Sequence, residues 1–217
     1  MGRLIKSNVY YRLPVVNNLF ACIMKKAVFF DRDGTILSLV YDKNHGIVRT
    51  PLSPREVEFM PHIVSLCKKI KPKGYKLFII SNQPDIGLGR ITQKTFNAIQ
   101  NNLESYFAKY DIAFDGYYYC FHHPYAKIAP YKKMCVCRKP NPGLLFQAAK
   151  EHNIDLINSW MIGDGVNDVL AGHKAGCKTI LIANNLESGH LSLATKHLKN
   201  TKPDYIVKKL KEILSII

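Results

Sequence analysis

The chain has 217 residues, enough for one well-filled core, and a single main domain is the expectation at this length. Hydrophobic residues make up 47% and charged residues 22%, the balance of an ordinary globular chain, and no apolar run reaches the length that crosses a bilayer. The formal net charge of +15 favours an anionic partner, a phosphorylated metabolite or a nucleic acid, although the lysines are spread along the chain as on a solvated basic surface.

Residues 1–24 fit nothing downstream. Arg3, Lys6 and Arg12 precede a weakly apolar stretch that Asn17 and Asn18 interrupt, so a signal peptide is not expected. Leu19-Phe20-Ala21-Cys22 only faintly resembles a lipoprotein cleavage site. The expectation is an N-terminal extension over 1–24, disordered or not translated, with the domain proper spanning 25–217. Ala27 to Phe30 is a short unbroken apolar run, the pattern of a strand buried on both faces. Asp31, Asp33, Gly34 and Thr35 follow at once. At the carboxyl end of a parallel strand this arrangement suits a carboxylate nucleophile, a neighbouring acid/base and a divalent cation, whereas taken alone it also describes a solvated turn.

Leu37 to Pro54 reads as a loop leaving the same end of the sheet, the natural place for substrate contacts. Pro61 opens a helix running to about Ile70, and Leu77 to Ile80 is a second buried strand followed by Ser81, Asn82 and Gln83. From Thr92, Phe96, Ile99, Leu103 and Phe107 fall at helical spacing, and Gly116 to Tyr119 reads as a third strand. A further helix is expected from Pro142 to about His152, with Asn141 as its cap. Trp160 to Ile162 is a fourth strand ending in Gly163-Asp164-Gly165, with Asp168 beyond it on a short helix. Thr179 to Ile182 is a fifth strand, and Tyr205 to Val207 a short last one before a C-terminal helix. This alternation predicts an α/β fold, a parallel sheet covered on both faces in a Rossmann-like three-layer sandwich without a large cap.

The chemistry-bearing residues follow strands, and in a parallel sheet those ends share one edge. Several carboxylates beside a phosphate repel it by about 4 kcal/mol per close pair of unit charges at an effective dielectric near 20. Such a site needs magnesium, which fits oxygen ligands, and a cationic side chain from elsewhere. Arg138 and Lys139 supply that charge on a backbone stiffened by the prolines after Lys139 and Asn141, against the alternative of a solvated basic pair. Of six cysteines, Cys120, Cys135 and Cys137 cluster while Cys22, Cys67 and Cys177 are scattered, a poor disulfide framework that points to a reducing, cytoplasmic compartment. Cys120-x-His122 and Cys135-x-Cys137 offer three thiolates and one imidazole, the set of a closed structural zinc site, against the alternative of unligated buried cysteines. His123 competes with His122, but on extended chain it should point away.

With these residues assembled, the chain resembles the haloacid dehalogenase (HAD) superfamily of phosphatases over about Lys25 to Ile182. Asp31-x-Asp33-Gly34-Thr35 is similar to its first motif, Ser81-Asn82-Gln83 to the second, Lys139 to the third and Asp164 to Asp168 to the fourth. Cys-x-His followed by Cys-x-Cys-Arg-Lys-Pro-x-Pro-Gly resembles the heptose bisphosphate 7-phosphatase family, with the histidinol-phosphate phosphatases as nearest rival. The resemblance implies that Asp31 attacks phosphorus, Asp33 serves as acid and base, and Ser81 with Lys139 holds the phosphoryl group. Asn82 and Gln83 join Ser81 as expected phosphate- or substrate-binding residues. It further implies magnesium on Asp31, the Asp33 carbonyl and Asp164, zinc on Cys120, His122, Cys135 and Cys137, and substrate recognition by Arg138. The expected partner is a small phosphorylated metabolite, a sugar bisphosphate, acted on by a monomer with no membrane and no nucleic acid involved, although the basic charge also suits a polynucleotide 3′-phosphatase. A non-catalytic zinc-binding module is the remaining alternative, and the intact acids argue against it. Three departures from the family pattern bear on the substrate: a longer segment between Ile36 and Glu58, Pro84-Asp85 after the second motif, and Gly165 where lysine is usual.

Overall fold

The structure is a computed structural model and describes residues 24–183 and 201–217. The extension expected over 1–24 therefore lies outside the described residues except for Met24, which is exposed. The central sheet has six parallel strands: β1 (Ala27–Phe30), β4 (Lys76–Asn82), β5 (Gly116–Cys120), β6 (Trp160–Gly163), β7 (Lys178–Ile182) and β8 (Tyr205–Val207). Their spatial order is β5-β4-β1-β6-β7-β8. The chain winds outward from β1 through β4 to β5, then returns to place β6 on the other side of β1. Ligands of open α/β sheets bind where the winding reverses, beyond the carboxyl ends of the strands.

The period-2 geometry of β1 divides the core. Val28 and Phe30 join one apolar cluster with residues of α1 (Ile63–Ile70), α2 (Gln93–Ala108) and the C-terminal segment; Ala27 and Phe29 join the other with α3 (Gly143–His152) and α4 (Val166–Ala175). Both faces are covered, as the near-continuous apolar strands require, and the architecture is the expected three-layer sandwich.

The elements depart from expectation at four places. The predicted loop from Leu37 to Pro54 carries an antiparallel hairpin, β2 (Val40–Asp42) and β3 (Ile47–Arg49), turning at Gly46 with φ of 64°. Helix α1 begins at Ile63, not Pro61, because His62 stands in the left-handed region at φ of 69°. Helix α3 starts at Gly143, and Asn141 does not cap it: its Nδ2 donates to the Cys135 carbonyl at 3.0 Å. The C-terminal helix is 3₁₀ over Leu210–Ser215, consistent with burial of Leu210 and Ile213 three residues apart.

Candidate active site and metal centre

Asp31 follows β1 directly, and its backbone N–H donates to the Ile162 carbonyl at 2.9 Å, which ties it to the adjacent end of β6. Asp164 and Asp168 follow β6, and oxygens of Asp31, Asp164 and Asp168 all lie within 4.8 Å of one another. Lys139 reaches this group from the far side of the chain. Its Nζ donates to Asp31 Oδ1 at 2.7 Å and to the Ile80 carbonyl at 2.8 Å. It also lies 2.5 Å from Asp168 Oδ1, as a charge contact outside good hydrogen-bond geometry. Burial works against the Lys139 ammonium, yet Asp168 and Asp31 outweigh it and hold the pKa above the usual lysine range. One ammonium does not balance three carboxylates. Burial, and then the charges of Asp31 and Asp168, push Asp164 up to about 8. Asp168 is raised to about 6, mainly by burial, despite the opposing pull of Lys139.

An all-oxygen donor set that is short of positive charge fits a hard divalent cation such as magnesium. The expected ligands are Asp31, the Asp33 backbone carbonyl and Asp164; the side-chain cluster in the structure holds Asp31 and Asp164 and adds Asp168. The spacing of four residues from Asp164 to Asp168 across the start of α4 was the signal for Asp168. Gly34 makes the approach possible. It has φ of +81°, and a Cβ there would sit 1.9 Å from Asp164 Oδ2.

A small cavity of about 200 Å³ is lined by Asp31, Asp33, Ser81, Lys139, Asp164 and Asp168, among others. The side chain of Asp33 turns to a separate set of partners from that of Asp31: Arg32 Nε and Nη2 donate to its two oxygens at 3.1 Å, and Gln83 Nε2 donates to Oδ2 at 2.7 Å. Gln83, expected among the phosphate-binding residues, is therefore placed behind the site: it is 2% exposed, and its amide also donates to Ser81 Oγ at 3.0 Å. Asn82 faces the cavity, but its amide grips the Lys139 main chain, donating to the carbonyl and accepting from the N–H, both at 3.0 Å. Neither Arg32 nor this use of Asn82 has a signature in the sequence, because both depend on which loops the fold brings together.

Cys120 at the end of β5 and His122 meet Cys135 and Cys137 in one cluster. Its edges include Cys120–Cys135 at 3.5 Å, Cys137–Cys120 at 3.3 Å, Cys137–Cys135 at 3.2 Å and Cys137 to His122 Nδ1 at 3.3 Å. Thiolates about 2.3 Å from a tetrahedral zinc stand about 3.8 Å apart, so the set fits that ion after slight expansion. His123 points elsewhere, its Nδ1 accepting from the Tyr125 N–H at 3.1 Å. The segment that carries Lys139 is tied to this cluster: Arg138 Nη1 donates to the His122 carbonyl at 3.1 Å. Gly143 N–H meets the Val136 carbonyl at 3.1 Å, where a Cβ would come within 2.4 Å of that oxygen.

A wider cavity of about 780 Å³ lies under the hairpin, bounded by Arg49, Asp85, Arg90 and Arg138, and shares Thr50 and Asn82 with the small one. Asp85, one of the departures from the family pattern, is buried and accepts from Thr50 Oγ1 at 2.9 Å and Arg90 Nη1 at 3.0 Å. It ties the hairpin to the loop after β4. Gly165 contributes only backbone to the small cavity.

A family profile described as HAD-hydrolase-like matches residues 136–213. The D-glycero-β-D-manno-heptose-1,7-bisphosphate 7-phosphatase of Helicobacter pylori (strain ATCC 700392 / 26695) is 41% identical over 178 residues, covering 80% of this chain and 94% of its own. The chain belongs to that phosphatase family. The enzyme of the same name from Escherichia coli (strain K12) is 33% identical over 153 residues, 70% of this chain and 76% of its own. Among solved structures, the D,D-heptose 1,7-bisphosphate phosphatase from B. bronchiseptica, complexed with magnesium and phosphate, superposes with a TM-score of 0.70. At 24% identity, over 88% of this chain and 97% of that one, this likeness shows the fold, which the matching profile describes as HAD-like.

Gly34→Ala forces Asp164 away from Asp31. A displacement near 1 Å is expected to lower kcat by about 10²-fold. Steady-state kinetics with saturating magnesium, together with a melting curve showing that the variant is folded, check this.

Proposed function

We propose that this chain is a magnesium-dependent phosphatase that removes the 7-phosphate of D-glycero-D-manno-heptose 1,7-bisphosphate through an aspartyl-phosphate on Asp31, in the synthesis of nucleotide-activated heptose. The observation that carries the chemistry is the meeting of Asp31, Lys139, Asp164 and Asp168 in one cavity with Ser81 and Asp33. The substrate rests on the relatives, which carry the heptose bisphosphate name at 33–41% identity.

In this reading Asp31 attacks phosphorus while Ser81 and Lys139 hold the phosphoryl oxygens. Asp33 gives a proton to the departing sugar oxygen, then takes one from the water that opens the acyl-phosphate. Two steps replace one because phosphate monoesters are among the slowest uncatalysed reactions, needing up to about 10²¹-fold acceleration. Asp31, Asp164 and Asp168, with the Asp33 carbonyl, would hold magnesium, which supplies positive charge against the phosphate oxygens. Cys120, His122, Cys135 and Cys137 would hold zinc away from the reaction, where it pins the loop that carries Arg138 and Lys139. Arg138, in the wall of the wider cavity, recognises the rest of the substrate. The five cysteines among the described residues are free, which suits the reducing cytoplasm. Among the described residues no helix is long and apolar enough to cross a membrane.

A panel of phosphorylated metabolites that includes heptose 1,7-bisphosphate, histidinol phosphate and a 3′-phosphorylated oligonucleotide tests the substrate. The expected result is highest kcat/KM on the heptose and no turnover by Asp31→Asn. Preference for either alternative would move the assignment, and undiminished hydrolysis by Asp31→Asn would end it.

The acidic cluster makes magnesium binding depend on pH. A raised carboxylate binds its proton more readily in the folded than in the unfolded chain, so Asp164 favours folding at low pH and that contribution is lost as pH rises from about 4 to about 8. Magnesium replaces those protons. Its effect on the melting temperature of zinc-loaded protein is therefore expected to be larger at pH 8.5 than at pH 6, and to shrink in Asp164→Asn. Stripping zinc with a strict chelator, then restoring magnesium, is expected to lower both the melting temperature and turnover. Unchanged values after verified zinc loss would remove the structural role.

A further inference from the structure

Arg32 stands between the two motif aspartates, yet its side chain is among the most deeply buried of the described residues, at 1% exposure. Its guanidinium meets Asp33 side-on, Nε to Oδ1 and Nη2 to Oδ2, both at 3.1 Å. Nη2 also donates to Gln83 Oε1 at 2.5 Å, and Gln83 Nε2 returns to Asp33 Oδ2 at 2.7 Å, closing a triangle of three side chains. The rings of Phe96 and Tyr119 lie 5.5 and 5.9 Å from the guanidinium carbon. Nη1 has no hydrogen-bond partner among the described residues. Burying a guanidinium with one N–H group unmatched is costly, and an apolar residue would pack the same space at less cost. What the charge does here is face one carboxylate.

We infer that Arg32 and Gln83 are positioning residues that hold the Asp33 carboxylate in a single orientation for delivery of the proton to the leaving oxygen. This rests on the reading of Asp33 as the proton donor. Oδ2 accepts from both Nη2 and Gln83, which uses both of its lone pairs, whereas among the described residues Oδ1 accepts only from Nε. The proton that Asp33 transfers therefore sits on Oδ1. In the first step the bond from Asp31 to phosphorus forms as the bond from phosphorus to the sugar oxygen breaks, and the Oδ1 proton moves to that oxygen. In the second step water attacks phosphorus, the acyl-phosphate bond breaks to restore Asp31, and the water proton returns to Oδ1. Gln83, grouped with phosphate binding on sequence grounds, acts through Asp33 and not on substrate.

The test compares kcat/KM on heptose 1,7-bisphosphate, whose leaving alkoxide needs a proton, with p-nitrophenyl phosphate, whose phenolate leaves without one. Because kcat/KM ends at departure of the leaving group, the second role of Asp33 does not enter. Asp33→Asn is expected to lower the alkyl-to-aryl ratio by about 10²-fold. Gln83→Met and Arg32→Lys are each expected to lower it by about tenfold, the worth of one well-placed hydrogen bond. Adding Gln83→Met to Asp33→Asn is expected to lower the ratio no further, because the two act as a unit. If Asp33→Asn is selective but Gln83→Met and Arg32→Lys depress both substrates equally, the two residues serve only the fold and the inference is overturned. If Asp33→Asn is itself unselective, the proton-donor reading fails first and takes the inference with it. Should Arg32→Lys not fold, Gln83→Met decides, since it leaves the ion pair intact.

Discussion

The site depends on an imbalance of charge: one buried ammonium faces three carboxylates that the fold holds within 4.8 Å of one another. Burial first, and then repulsion between like charges at that range, raises Asp164 and Asp168. Such a cluster persists only because the sheet places its parts independently, Asp31 from β1 and the other two from the turn after β6. The same imbalance makes the site selective. It suits a divalent cation, which together with Lys139 would offer a phosphate positive charge to offset the acids.

Lys139 has to be held from outside the sheet, and the structure spends a whole loop on that task. Asn82, at the end of β4, fastens the Lys139 main chain at both its N–H and its carbonyl. Beyond it, Arg138 is bonded to the His122 carbonyl, Asn141 to that of Cys135, and Gly143 to that of Val136. The cysteine–histidine cluster closes this loop on itself. A long lysine has substantial rotamer entropy to lose, and a stiff anchor lowers the cost of aiming it.

The hairpin β2–β3 answers a different demand. It forms no part of the main sheet and exposes Tyr41, Ile47 and Val48, so its position rests on polar ties. Arg49 pairs with Glu56 through two N–H groups at 3.0 and 2.8 Å and with Asp42 at 3.3 Å. Thr50 bonds the buried Asp85. These contacts make the hairpin a wall of the wider cavity beside the reacting centre. The departures from the family pattern, the long hairpin segment and Pro84-Asp85, thus fall together around one space.

Strand order of residues decided much of this protein in advance. Apolar runs of four or five residues ending in Asp, Ser or Gly-Asp specify buried parallel strands with chemistry at one edge, because alternation puts a strand's faces in the core and leaves only its end for function. The paired Cys-x-His and Cys-x-Cys spacings were equally legible, since a one-residue spacer sets both ligands on one side. The hairpin was not, because its short strands bury no face and leave no periodic signal. Nor was the division of labour among neighbours: that Asn82 grips Lys139, and that Arg32 and Gln83 enclose Asp33. Those are contacts between segments as many as 57 residues apart, as for Asn82 and Lys139. A linear pattern records which groups are present and which way they face along their own strand. Only packing of separate strands and loops decides which of them meet, because that choice is made by the shape of the whole core.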